Sequence, residues 1–244
     1  MRAADCRSGD EHRHRSHSLV AGTDELVADR SGALYWPAER MLIVADLHLE
    51  KGSARALRGF MLPPYDTQDT LRRLAETVTR YQPRTVVALG DSLHDRGAAR
   101  RLSVEDRVHL ADLQTGRRWI WVTGNHDPEI GPELGGEVID RLEVGPFDLR
   151  HIPEAGCPKF ELAGHMHPAA RVTLGGVVQR RPCFAWSAAR LVLPAFGAFT
   201  GGLNVLDGSF GPLFPNGSLD VLVVGRDGVY PVPVASLGPD RRGG

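Results

Sequence analysis

The chain has 244 residues, 42% hydrophobic and 24% charged, with a net charge of −1. That balance suits one ordinary globular domain with a sizeable core. It excludes a global electrostatic pull toward nucleic acid or anionic lipid, and no apolar stretch approaches the ~18 residues of a membrane span.

Only two of the 29 basic residues are lysines, Lys51 and Lys159, a skew over the whole chain that reads as composition bias before phosphate recognition. The three cysteines, Cys6, Cys157 and Cys183, are widely spaced and form no CxxC. They argue against a disulfide framework or a cysteine zinc site and point to a reducing cytoplasm. Residues 1–17 are polar and of mixed charge and read as a disordered tail, its histidines His12, His14 and His17 solvated. A single domain is expected over residues 18–238, with 239–244 frayed.

Short β-type runs at Ser18–Ala21, Glu25–Ala28 and Ala33–Trp36 read as hairpins leading into a strand over Arg40–Ala45. The apolar end of that strand, Leu42-Ile43-Val44-Ala45, suits burial on both faces and is followed by Asp46-Leu47-His48. Residues two apart in extended backbone face the same side, so Asp46 and His48 can converge on one metal ion. A short helix through Arg58 comes next, broken at Pro63-Pro64. A second helix over 67–81 is capped by Asp66 or Thr67 and buries Leu71, Leu74 and Val78. Lys51 and Arg55, at the start of the short helix, are either contacts for a substrate phosphate or a solvent-facing helix start.

The design of the first strand returns three times. Thr85–Leu89 ends in Gly90-Asp91, Trp119–Val122 in Thr123-Gly124-Asn125-His126-Asp127, and Phe160–Ala163 in Gly164-His165-Met166-His167. Each is a short strand followed by a glycine and then oxygen or nitrogen donors, and glycine lets the backbone crowd the site. Asp91 has two oxygens with which to bridge a pair of cations. Asn125 offers a neutral amide oxygen. His126 can protonate a leaving oxygen and Asp127 can hold its ring in the needed tautomer. No side-chain nucleophile is required if metals activate water. Between these exits, Ser103–Thr115 reads as a capped helix ending at Gly116, with His109 on its surface. Phe147–Arg150 reads as a strand ending at His151. Farther on, Arg171–Val178 and Phe184 with Leu191–Leu193 continue as β structure, 194–202 is a glycine-rich turn region, and Asp220–Val224 with Val229–Val232 forms a terminal hairpin.

The four exits in this order, DxH, GD, GNHD and GHxH, resemble the calcineurin-like metallophosphoesterase superfamily over roughly residues 40–200. The resemblance implies an α/β sandwich of two mixed β-sheets packed face to face and flanked by helices. It implies two divalent metals, one held by Asp46, His48, Asp91 and His167, the other by Asp91, Asn125, His151 and His165. His151 takes its place by family order, as the sole histidine between His126 and His165. Ligands without thiolate suit Mn²⁺, Fe or Zn²⁺, and the expected ion is Mn²⁺. His126 is the general acid by the same resemblance. The GDxxHD spacing departs from the GDxxDRG of phosphoprotein phosphatases and is similar to the GDxxH of the nuclease branch, where the histidine equivalent to His94 positions the scissile phosphate.

A longer match, ADLHLEKG, LPPYDTxxTLxRL, GDSLHD and LVLPAFGAFTGG, looks like the bacterial ligase-associated phosphodiesterase family of DNA damage response endonucleases. That resemblance implies a metal-dependent phosphodiester hydrolase acting on DNA beside an ATP-dependent DNA ligase and a helicase. The alternatives are a phosphomonoesterase or cyclic-nucleotide phosphodiesterase on the same core, a lipid-linked pyrophosphatase, for which no membrane-docking segment is evident, and a non-catalytic, metal-stabilised subunit of a ligase–helicase assembly.

Overall fold

The computed structural model describes residues 16–57, 59–60 and 65–240. The readings of the tail before Ser16, of Cys6, of Arg58 and Pro63-Pro64, and of the last four residues lie outside that range.

The first sheet grows from alternating and then continuous apolar runs. β1 (Ser16–Ala21), β2 (Asp24–Asp29), β3 (Leu34–Trp36) and β4 (Met41–Ala45) pair antiparallel in sequence order. β1 thus takes in Ser16 and His17, which the sequence reading left in the tail. β5 (Thr85–Leu89), β6 (Arg118–Val122) and β7 (Glu137–Ile139) then add parallel to β4. Parallel neighbours need crossovers: α1 (Lys51–Ala56) and α2 (Asp66–Tyr81) join β4 to β5, α3 (Ala98–Arg101) and α4 (Val104–Gln114) join β5 to β6, and a loop with one 3-10 turn at Pro132–Leu134 joins β6 to β7.

The second sheet is mixed. It contains β8 (Leu142–Val144), β9 (Phe147–Arg150), β10 (Phe160–Ala163), β11 (Pro168–Leu174), β12 (Val177–Trp186), β13 (Arg190–Val192) and β14 (Leu203–Asn204), in the spatial order β14-β11-β12-β13-β10-β9-β8. β15 (Asp220–Val224) pairs with the last part of β12 and with β16 (Val229–Pro231).

Strand alternation divides the core. Ile43, Val87 and Ile120 face Phe147, Leu162, Phe184 and Leu222 between the sheets. The intervening residues Leu42, Val44, Val86 and Trp121 pack on Leu71, Leu74 and Val78 of α2 and Leu110 of α4. This is the expected sandwich with flanking helices. Among the described residues no helix is long and apolar enough to cross a membrane.

Three local readings need refining or correcting. The expected β structure over Arg171–Val178 is the end of β11 and the start of β12, which the sequence did not separate: Gly175 and Gly176 at φ +56° and +79° turn the chain between them. Neither Asp66 nor Thr67 caps α2: Tyr65 holds that position, the Asp66 carboxylate accepts from Gly52 N–H at 2.9 Å, and the Thr67 hydroxyl donates to Glu50 at 3.0 Å. Tertiary partners outcompeted the local cap. The short α3 carried no periodic signal and was not anticipated. Ser103, by contrast, caps α4 as expected, accepting from Asp106 N–H at 3.0 Å.

Candidate metal centre

Every residue of β4 is buried, and β5 and β10 end in buried residues too. The donors therefore hang from rigid strand ends, where open α/β sheets place their sites. Asp46, His48, Asp91, His165 and His167 all sit in left-handed backbone, with φ of 53°, 43°, 45°, 68° and 44°. Such conformations cost about 1–3 kcal/mol each and persist where surrounding structure enforces them, commonly at functional sites. Here the enforcement is visible: Asp46 N–H donates to Gly90 O at 3.2 Å and His48 N–H to Asp91 O at 2.9 Å, so two exits are laced together. The glycines serve close approach. A Cβ on Gly124 would stand 2.2 Å from the Asp91 amide nitrogen, and one on Gly90 2.3 Å from the His151 ring.

All seven expected metal ligands meet here, in two adjacent groups. Donor atoms of Asp46, His48 and His167 lie within 4.8 Å of one another, as do those of Asp91, His151 and His165. In the first group His167 Nε2 is 3.2 Å from Asp46 Oδ1 and 3.2 Å from His48 Nε2. In the second, His151 Nε2 lies 3.4 Å from Asp91 Oδ1, 3.0 Å from Asn125 Oδ1 and 3.2 Å from His165 Nδ1. Asp91 stands between them, its Oδ2 4.0 Å from His48 Nε2. One carboxylate oxygen is turned to each group, the arrangement a bridging ligand requires.

These residues fit divalent cations. Asp46 is fully buried, yet its Oδ1 makes no hydrogen bond, a costly state unless a cation satisfies it. Burial and the neighbouring His167 lower His48 to about 3, so its ring is neutral and offers lone pairs. Burial works against charge on Asp91, but hydrogen bonding from His151 outweighs it and holds the carboxyl at about 2. Burial likewise opposes charge on His151, but Asp91 and Asp46 raise it above the usual imidazole range. Two buried carboxylates demand positive charge there, and a cation supplies it better than a proton.

Backbone carbonyls aim the rings. Leu89 O is 3.0 Å from His151 Nδ1, and Gly201 O is 3.2 Å from His167 Nδ1. Carbonyl partners of this kind fix tautomer and orientation. The loop carrying Gly201 is pinned by Phe196 N–H to Ala45 O and Gly197 N–H to Asp46 O. Nothing in a side-chain motif signals such partners, and the sequence reading missed them.

The three expected catalytic residues divide. His126 is exposed over the centre, its Nε2 3.9 Å from Asp91 Oδ2, and its ring stacks on His94 at 5.5 Å. The dyad of His126 with Asp127 is not what holds the ring. The Nδ1 atom of His126 lies 2.8 Å from His94 O, where its N–H donates. Asp127 is fully buried and accepts from Leu93 N–H at 2.9 Å and Gly124 N–H at 3.0 Å. It binds the second exit to the third, and so sets His94 and His126 in register through the backbone. His109 is half-buried on α4, outside the donor groups. A cavity of about 400 Å³ opens beside Asn125 and His151, lined also by Arg141 and Arg150.

The model of the calcineurin-like phosphoesterase family matches residues 39–169. Among solved structures, the nuclease MPE of Pseudomonas putida is 29% identical with a TM-score of 0.71, over 89% of this chain and 100% of that one. YfcE, a phosphoesterase from E. coli, is 13% identical with a TM-score of 0.39, over 76% of this chain and 88% of that one. No curated protein matches the chain.

Proposed function

The chain belongs to the calcineurin-like phosphoesterase family and is a hydrolytic phosphoesterase that uses divalent metal; from that premise we propose that it cleaves phosphodiesters in DNA with two cations sharing Asp91. The observation that carries this reading is the pair of donor groups facing the two oxygens of one carboxylate, with His126 above them. Similarity to a protein named as a nuclease favours a nucleic-acid diester over a small monoester.

Asp46, His48 and His167 would hold one cation, and His151, His165 and Asn125 the other. Bound there, the cations would activate water and offset charge developing on the phosphoryl oxygens. The chain's own residues do the rest. His126 keeps its Nδ1–H on the His94 carbonyl, so Nε2 is the atom that carries a proton to the leaving oxygen. The His94 ring, stacked beside it, contacts a non-bridging oxygen of the scissile phosphate. Asp127 acts on neither directly and is a positioning residue. Mn²⁺ as the native ion, a cytoplasmic setting and partnership with an ATP-dependent ligase and a helicase belong to the same proposal, on the strength of the sequence resemblance and cysteine usage.

The test is Mn²⁺-dependent turnover of a bis-aryl phosphodiester and of DNA, beside the matching monoester and a His126→Ala protein. The proposal expects diester and DNA cleavage, both lost in the variant. Turnover of the monoester alone would reassign the chain to phosphomonoesters. No turnover with any metal would favour the non-catalytic subunit.

A further inference from the structure

We infer that Lys51 and Arg55 form a phosphate-binding subsite that grips a polynucleotide strand beside the scissile phosphate. This rests on the diester reading above and extends it to a longer substrate.

Lys51 is 8% exposed, yet among the described residues its ammonium has no hydrogen-bond or ion-pair partner. Asp66 is near enough for its charge to be felt, opposed by that of Arg55, yet no described carboxylate oxygen is at ion-pair distance, and a cation this buried without a direct partner is unfavourable in general. The nearby acids are committed elsewhere. Glu50 accepts from the hydroxyls of Ser53 at 2.6 Å and Thr67 at 3.0 Å, Asp66 accepts from Gly52 N–H, and Asp95 pairs with Arg101 at 2.8 Å. The Lys51 nitrogen is not sealed from solvent, so its tip keeps contact with water while its stem is covered.

The placement is specific. Leu49 pairs with Leu93, and His94 N–H donates to Leu49 O at 3.0 Å, so α1 begins with Lys51 beside the catalytic histidines. Arg55 follows four residues later, exposed, and also has no ion-pair partner among the described residues. Positions i and i+4 share a helix face, and like charges there are unfavourable in a bare protein. The two are about 6 Å apart along the helix axis. A chain of phosphates passing from His94 past both cations relieves that repulsion. A single small anion engages only one of them.

The experiment measures binding of a fluorescent single-stranded oligonucleotide to the full-length, metal-free protein at graded salt, with inorganic phosphate as competitor. Turnover of oligonucleotide and bis-aryl diester is followed in parallel. Lys51→Met should weaken oligonucleotide binding about tenfold and flatten the salt slope by about 0.7, the loss of one phosphate contact on a single strand. Lys51→Arg should recover most of the affinity. Exposed Arg55→Met, which carries little folding risk, should weaken binding in the same direction. In turnover, the loss for Lys51→Met should be at least tenfold greater on the oligonucleotide than on the bis-aryl diester.

Unchanged oligonucleotide binding in both variants would overturn the subsite, as would equal losses on the two substrates or displacement by phosphate at oligonucleotide-like concentrations. Wild-type protein that binds DNA through Lys51 without cleaving it would sink the catalytic reading and leave the subsite standing.

Discussion

Replacing Asp127 by asparagine separates two accounts of how His126 is held. In the structure the carboxylate accepts two backbone N–H groups, from Leu93 and Gly124, and leaves the His126 ring to the carbonyl of His94. Asparagine keeps the shape but offers one acceptor, so its NH₂ confronts one of the two donors. Losing one hydrogen bond to a charged acceptor costs about 1.5–3 kcal/mol, and an unmatched buried N–H adds about 1 kcal/mol. Against this, burial pushes the Asp127 carboxyl up to about 6. Ionising it at neutral pH therefore costs the folded state about 3 kcal/mol, which the neutral amide avoids. The opposing effects leave the variant within about 2 kcal/mol of wild type in urea unfolding. Turnover should still fall, by roughly ten- to a hundredfold, because the Leu93–Gly124 tie that sets His94 against His126 is weakened. Nitrogen NMR of the imidazole should report Nδ1–H in both proteins, since the His94 carbonyl is untouched. A tautomer change in Asp127→Asn, with a loss nearer the ~10⁴-fold seen when a triad aspartate is amidated, would refute this account and restore the direct dyad.

Gly124→Ala forces a methyl to 2.2 Å from the Asp91 amide nitrogen. It should cost about 1–3 kcal/mol by overpacking and weaken metal affinity, read by unfolding and by metal titration of the same sample. Arg80→Met strips the charged partner from fully buried Asp29, which Arg80 holds at 2.9 Å, leaving the Tyr81 hydroxyl and Ser31 N–H, each at 2.8 Å, and should cost about 3 kcal/mol, the low end for breaking a buried pair. Arg72→Met, whose ion pairs are exposed, should change unfolding by less than about 1 kcal/mol. Asp148 supplies a pH dependence. Burial raises its pKa, but hydrogen bonds from Arg141 and Cys157 and the charge of Arg150 outweigh it and hold the carboxyl below the usual range. A depressed carboxyl stabilises the fold above its unfolded value near 4, and that contribution is lost as pH falls through the folded value. Urea midpoints below pH 4 should therefore drop more steeply for wild type than for Asp148→Asn; parallel curves would remove Asp148 from the acid response.

Much of the centre was legible because its signal is local. An apolar run of four or five residues, a glycine and a donor follow one another at Ala88–Asp91 and, with Thr123 between run and glycine, at Val122–Asn125, and the fold needs only to bring such ends together. His151 was harder, since no glycine or second donor flags it. Its position follows from β9 pairing parallel with β10, so that the two strands end side by side. The role of Asp127 was misread because adjacency in sequence suggested contact with His126. After a strand exit the two side chains diverge, one to the core and one to solvent. The carbonyls of Leu89, His94 and Gly201 carry no side-chain identity and could not be foreseen. The turn at Gly175-Gly176 was not singled out, because the β-branched residues on both sides signal β structure without showing where one strand ends and the next begins. Lys51 stood open between phosphate contact and plain helix start, and its burial without a direct partner, known only from the fold, is what the inferred subsite rests on.

The most direct test of the central claim is a Mn²⁺ titration of the purified chain by calorimetry, with bis-aryl diester turnover followed at each addition. Two equivalents should bind, turnover should rise only as the second is filled, and Asp91→Asn should weaken both sites together because Asp91 faces both groups. Full turnover at one equivalent, or an Asp91→Asn protein that still binds two ions tightly, would contradict a centre built on a shared carboxylate.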